Sequence, residues 1–167
     1  MVKNKILKVT SFVNVSCEGT IILREDSTFE GIVTTGGEDS VITGVLVDMG
    51  ATLMKFSKPG TFPCSFCGYS TGVSVIGKWT SHDSFSAHDA GTGKIIFKEI
   101  PLEEESLKDV SQRVERFKKD MDRFSAEMYE NYVKCMDATV KELVTNINFN
   151  KESIEKEIGA PLKKLEY

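Results

Sequence analysis

The hydrophobic pattern of the chain changes its period at Pro101. Over residues 1–100, apolar and polar residues alternate in short runs bounded by Gly, Asp, Asn and Pro, which is typical of half-buried strands. Over residues 103–167, neither glycine nor proline occurs before Ile147, and apolar residues recur every three or four positions, as on one helix face. The two patterns predict an α+β protein in which an antiparallel β domain precedes a helical region.

The β domain is predicted to contain seven to eight short strands. Residues 5–15 alternate clearly, and the acidic turn at residues 25–27 separates two apolar runs, as in a hairpin. The only tryptophan, Trp79, shares its alternation with Val73 and Val75, which predicts that it lies on the buried face. Short strands spaced about ten residues apart with turn signals between them favour a meander, a small barrel or a sandwich.

The helical region is predicted to contain one long amphipathic helix over about residues 103–146 and a short helix over about residues 151–158. Three glutamates at positions 103–105 place negative charge in the first turn, where the helix dipole is positive. Asparagines between residues 146 and 150 mark the end of the long helix, and Gly159 ends the short one.

One face of the predicted long helix carries an apolar seam with alternating steps of three and four residues. The seam residues are Leu107, Val110, Val114, Phe117, Met121, Phe124 and Met128. A straight helix of this length spans about 65 Å, whereas strands of about eight residues give a barrel only about 25–30 Å tall. Because the helix would extend past the β domain, we predict that the seam forms a homo-oligomer. The alternatives are that the stripe packs on its own β domain or that the helix breaks near residue 130.

The most specific chemical pattern is a pair of cysteines followed by the two histidines of the chain. Cys64, Cys67, His82 and His88 have the spacing C-x2-C-x14-H-x5-H. Thiolates and imidazoles are the ligands that zinc prefers, and four of them complete a tetrahedral site. The pattern predicts a structural zinc ion that stabilises a protein-interaction or regulatory module.

Other interpretations of these residues stay open. The histidines lie in a polar stretch without helical period, which is typical of a solvated loop, so the cysteines are alternatively free thiols. A redox pair is disfavoured because no helix follows the second cysteine. A pair of Cys67 with His82 or His88 would supply the thiolate and base of a cysteine-dependent enzyme. Cys17 and Cys135 lie in apolar contexts and are predicted to be core thiols.

Charge and composition exclude several classes of protein. The net charge is −4 and neither part of the chain is strongly basic, which disfavours binding of nucleic acid through its phosphates. No apolar run approaches the roughly 20 residues that span a membrane, and the charged, alternating start of the sequence leads us to expect no signal peptide. We therefore expect a cytoplasmic protein, or one that acts in the cytoplasm of a host cell, with its cysteines reduced.

Catalytic motifs are few. Neither G-x-S-x-G nor H-E-x-x-H occurs, so no catalytic residue is assigned and an enzyme is disfavoured. The predicted function is that of a non-enzymatic, oligomeric binding protein. Its small-molecule or protein ligand would bind at the β domain or between subunits, since small barrels commonly hold ligands at their mouths.

Overall fold

The computed structural model describes residues 4–57, 63–81 and 90–167, and within them it shows eight strands followed by three helices. The strands are β1 (Lys5–Phe12), β2 (Val15–Leu23), β3 (Thr28–Thr35), β4 (Glu38–Val47), β5 (Gly50–Phe56), β6 (Cys64–Ser70), β7 (Val75–Ser81) and β8 (Ala90–Ile100). Each strand pairs antiparallel with its neighbours in sequence, and β8 closes on β1. The predicted α+β class and antiparallel meander are confirmed, and the meander is a closed barrel.

Tight turns connect several of the strands. Val13 and Asn14, between β1 and β2, have φ angles of 50° and 67°. Gly36 and Gly37, between β3 and β4, have φ angles of 57° and 82°. Two successive residues with positive φ produce the turn whose twist matches that of paired strands. The Asn14 side chain also accepts a hydrogen bond from the Lys94 backbone N–H at 3.3 Å, which ties this turn to β8.

Apolar side chains fill the interior of the barrel. Its most deeply buried residues include Leu7, Val9, Ile21, Phe29, Leu53, Phe66, Ile95 and Phe97. Glycines let neighbouring strands approach closely: a Cβ atom on Gly31 would lie 2.2 Å from the Thr20 carbonyl oxygen, and one on Gly44 would lie 2.2 Å from that of Thr52. The barrel therefore has a packed core.

Residues near the C-terminus close one end of the barrel. The Leu165 backbone N–H donates to the Asp48 carbonyl at 2.6 Å, and that of Glu166 donates to the Gly72 carbonyl at 2.6 Å. Leu165 and Tyr167 pack against the interior residues. Asp48 and Gly72 lie in the β4–β5 and β6–β7 connections, so this segment crosses the end of the barrel where those strands turn.

Three helices follow the barrel: α1 (Glu104–Lys119), α2 (Arg123–Lys134) and α3 (Met136–Ile158). The prediction of one helix over residues 103–146 is wrong, because the chain breaks between α1 and α2 and again at Cys135. At the first break, the Asp122 carboxylate accepts a hydrogen bond from the Ser125 N–H at 2.8 Å and caps α2. The predicted short helix is instead the last part of α3, after a kink at Asn150 with φ −115° and ψ 21°.

The apolar seam of the helices packs on the barrel. Val110 and Val114 are buried against the outer wall formed by β2 to β5, and most other seam residues are half-buried there. Phe124 is the exception, with 52% of its surface exposed. Because the two breaks let the helices follow the barrel, no long helix extends past the β domain as predicted. One break lies at residues 120–122 and the other at Cys135, so the alternative of a break near residue 130 describes the second one. Self-association stays a prediction.

Candidate functional site

The two cysteines of the predicted zinc site lie on opposite faces of β6. Successive side chains of a strand alternate between faces, so residues three apart point in opposite directions. Cys64 shares the inner face with buried Phe66, whereas Cys67 lies on the outer wall. His82 and His88 lie outside the described residues. Strand β6 thus directs its two thiols to opposite faces, and within the described ranges no three His, Cys, Asp or Glu side chains are grouped to hold a metal. Zinc binding by the four residues stays a prediction.

A lysine and two thiols lie together at the end of the barrel opposite the C-terminal segment. Lys55 pairs with Cys64 across β5 and β6, and its ammonium lies 5.3 Å from the centroid of the Phe12 ring. Burial raises the pKa of the Cys64 thiol and of the Cys17 thiol, while the nearby Lys55 ammonium acts in the opposite direction on both. Both Cys17 and Cys135 are predicted to be core thiols. Cys17 lies inside the barrel, at its mouth, whereas Cys135 is exposed at the break between α2 and α3, so the prediction is wrong for Cys135.

Trp79 also faces the interior at this end, as its spacing from Val75 predicts. It is half-buried and packs against Gly91, where a Cβ atom would lie 2.8 Å from the indole Nε1. Val73, which the alternation placed on the same face, precedes β7 and is 69% exposed. The inward-facing residues of this strand therefore begin at Val75, and Val73 is not among them.

A network of charges joins the barrel wall to α1 and α2. The Arg24 guanidinium lies 2.5 Å from the Glu30 carboxylate, the Tyr129 hydroxyl donates to it at 2.6 Å, and the Lys118 ammonium lies 3.4 Å away. Burial by itself would raise the pKa of Glu30, but these partners outweigh it and hold the pKa below its ordinary value. Because its partners come from α1 and α2, this carboxylate fastens both helices to β3.

A groove separates α3 from the outer wall of β5 and β6, with a volume of about 750 Å³. We call it the α3 groove. Its lining includes Thr52, Cys67, Leu143, Asn146, Phe149 and Asn150. Thr52 and Cys67 are directly opposite in the strand pairing, so their side chains form the barrel side of the groove. This site therefore combines strand and helix residues.

The spacing of apolar residues on α3 explains which side chains reach the groove. Leu143, Ile147 and Ile154 are buried against the barrel and anchor the helix. Asn146 and Asn150 lie one helical turn apart beside this buried stripe, so their amides border the wall. Phe149 is 83% exposed, although it is large and apolar.

Hydrogen bonds link the two amides to the barrel. The Asn150 Nδ2 donates to Asn146 Oδ1 at 2.7 Å, and Asn146 Nδ2 donates to the Tyr69 hydroxyl oxygen at 2.7 Å. Burial and the neighbouring Cys67 thiol raise the pKa of Tyr69 to about 12. Cys67 is exposed as a residue, yet burial of its sulfur raises the thiol pKa. Both groups are therefore protonated and uncharged at neutral pH.

A buried hydroxyl group, that of Tyr132, lies next to the groove residues Thr52 and Cys67. Burial raises the pKa of Tyr132 to about 12; the Thr52 side chain acts in the opposite direction through hydrogen bonding and the Cys67 thiol raises it further, so both neighbours lie close to the hydroxyl oxygen.

The sequence patterns did not identify this groove. Asparagine is common at helix ends, so the pattern predicts that the long helix ends in the run Asn146-Ile147-Asn148-Phe149-Asn150. In the structure the run continues as helix up to the kink at Asn150. A phenylalanine between asparagines on the polar side of a helix is the signal that could have indicated a binding surface.

Comparisons with known proteins give no information about the fold or the groove. No family model, curated protein or solved structure matches the chain. No helix within the described residues has the length and apolar character needed to cross a membrane.

Proposed function

We propose that the protein is a non-enzymatic binding protein that holds a small organic ligand in the α3 groove. The observation that supports this most directly is the open groove of about 750 Å³ between α3 and the barrel wall. Ligand sites commonly measure about 300–1,000 Å³ and combine apolar surface with a few polar groups. The groove has both, in Phe149 and Leu143 and in the two amides.

The packing of the barrel favours the groove over the interior. Phenylalanine and aliphatic side chains fill the inside, and Leu165 and Tyr167 cover one end. A ligand inside would have to displace close-packed side chains, and removal of a large one costs about 3–5 kcal/mol. The groove needs no such rearrangement.

The protonation of the groove residues favours binding over catalysis. A general acid or base works best with a pKa near the working pH. The pKa of Tyr69 is raised to about 12 and that of the Cys67 thiol is raised by burial. Neither group is poised to exchange a proton or to attack as an anion near pH 7.

The proposal is tested by filling the groove without touching the core. Thr145 is an exposed residue of the groove lining, so Thr145→Trp places a large ring in the groove. Val144→Trp is the matched control, because Val144 is 39% exposed on the same helix and does not line the groove. A library of small organic metabolites is screened against the three proteins by ligand-observed NMR, and affinities are measured by calorimetry.

We expect ligands that bind wild type and Val144→Trp with similar affinity and bind Thr145→Trp at least about tenfold more weakly, a loss of about 1.4 kcal/mol. Equal binding to all three proteins would locate the ligand elsewhere, the barrel mouth at Lys55 being the next place to examine. A screen without any ligand for wild type would reject the proposal.

A further inference from the structure

Resting on this proposed function, we infer that the α3 groove selects an uncharged planar heterocycle with a lactam edge, that is, a ring carbonyl beside a ring N–H. The inference names the chemical class of ligand. It follows from three features of the groove: unused amide groups, an exposed aromatic ring and balanced charge.

The first feature is the remaining hydrogen-bonding capacity of the two asparagines. A carboxamide has two N–H donors and two acceptor lone pairs. The bonds from Asn150 to Asn146 and from Asn146 to Tyr69 each use one N–H. Among the described residues, each amide keeps a second N–H, and the Asn150 carbonyl oxygen is not the acceptor in either bond. A donor beside an acceptor is complementary to a lactam edge.

The second feature is the Phe149 ring. It lines the groove and is 83% exposed, so one face is open to a flat partner. Aromatic pairs are attracted to each other beyond the effect of burying their area. A planar ring system would cover Phe149 while its edge meets the Asn146 and Asn150 amides that line the same groove.

The compact arrangement favours a single ring system over an extended peptide. Asn146, Phe149 and Asn150 lie within four residues of one helix, which corresponds to about 6 Å along the axis. An extended peptide presents same-face side chains about 6.6–6.8 Å apart and needs a row of contacts over a longer distance. A cluster of one helical turn matches a bicyclic or tricyclic ring.

The third feature is the balance of charge. The neighbouring residues Lys141 and Glu142 both line the groove and carry opposite charges. A phosphate or carboxylate ligand would gain from the lysine and lose against the glutamate. The groove therefore has no preference for a charged ligand.

The ligand class is tested with lumichrome, a fluorescent, uncharged tricyclic ring with lactam edges. Phenazine has a similar shape and no lactam, and flavin mononucleotide keeps the lactam edges and adds a ribityl phosphate chain. Lumichrome binding is followed by fluorescence anisotropy, and the other two compounds are used as competitors. We expect lumichrome to bind at least about tenfold more tightly than phenazine, a difference of about 1.4 kcal/mol, and flavin mononucleotide to gain nothing from its phosphate.

Two variants distinguish hydrogen bonding at the lactam edge of the ligand from stacking on its ring face. Asn150→Leu should weaken lumichrome about tenfold and leave phenazine unchanged, while Phe149→Ser should weaken both. Asn148→Leu is the matched control for the first variant, because Asn148 is exposed on the same helix and does not line the groove. Circular dichroism establishes that each variant keeps its helix content.

Each outcome decides one of the two proposals. If library ligands bind wild type and lose affinity for Thr145→Trp, while lumichrome binds no better than phenazine, the lactam class is rejected and the binding function stands. Binding of blocked dipeptide amides instead of lumichrome would also reject the class and assign the groove to peptides. If lumichrome binds Thr145→Trp as well as wild type, its site is not the groove and the inference fails.

Discussion

Two adjacent residue pairs of β5 and β6 lie in opposite environments. Leu53 and Phe66 face each other inside the barrel and are 1% exposed. Their neighbours Thr52 and Cys67 also face each other, but on the outer wall, where they border the α3 groove. The interior of this barrel is thus closely packed, while the wall beneath α3 carries polar side chains at the border of the groove. On the proposed function, the barrel is a scaffold for a surface site rather than a container.

The largest expected effect comes from the inner pair. Phe66→Ala removes a buried ring from the packed core and should lower the free energy of unfolding by about 3–5 kcal/mol. Cys67→Ala, one residue along the same strand, should change it by less than about 0.5 kcal/mol, as is usual for surface positions. Urea denaturation followed by circular dichroism measures both. Similar losses for the two variants would mean that the wall and the interior are not energetically distinct.

A smaller effect is expected at Glu30, which tests whether a polar group on the outer wall can also be structural. Glu30→Gln removes the charge that holds Arg24, Lys118 and Tyr129. The expected loss at pH 7 is about 1.5–3 kcal/mol, the range for hydrogen bonds to charged groups. Because Arg24 is 40% exposed, solvent screening favours the lower end.

The pH dependence of this variant follows from the direction of the shift. The pKa of Glu30 in the folded protein lies below its ordinary value of 4.5, so the carboxylate contributes its full stability above that pH. The contribution is lost as the pH falls through the folded pKa. The difference between wild type and Glu30→Gln should therefore be constant from pH 6 to 7 and shrink in acid, within the approximation that Glu30 titrates independently. A difference that grows in acid would contradict this sign.

The smallest effect on stability is expected at Phe124, which tests the proposed self-association apart from folding. Phe124 is 52% exposed, whereas its seam neighbour Phe117 packs on the barrel. Phe124→Glu should change the free energy of unfolding by less than about 0.5 kcal/mol. If the proposal is correct, sedimentation should show an oligomer for wild type and a smaller species for the variant. A monomer for both proteins would end the oligomer hypothesis.

Much of the barrel could be predicted because strand patterns are local. The alternation of residues 5–15 corresponds to β1 and the start of β2, with a turn at Val13 and Asn14 that it did not predict. The turn predicted at residues 25–27 lies between β2 and β3. The spacing of Cys64 and Cys67 carries no such local information about the backbone, and the zinc site that it predicts stays a prediction. Two cysteines three positions apart converge when the chain turns between them, but within a strand they diverge. The motif does not specify which backbone it adopts.

The sequence by itself determined the change of period at Pro101, a β domain of seven to eight short strands and the apolar stripe on the helices, because each depends on residues close together in the chain. Tertiary structure decided where that stripe packs. Residues 120–122 are compatible with helix in isolation, but burying Val110 and Tyr129 on the same curved wall requires a bend, which the Asp122 cap stabilises. The α3 groove exists only because β5, β6 and α3 meet, so the helix residues that line it do not by themselves show that they face Thr52 and Cys67.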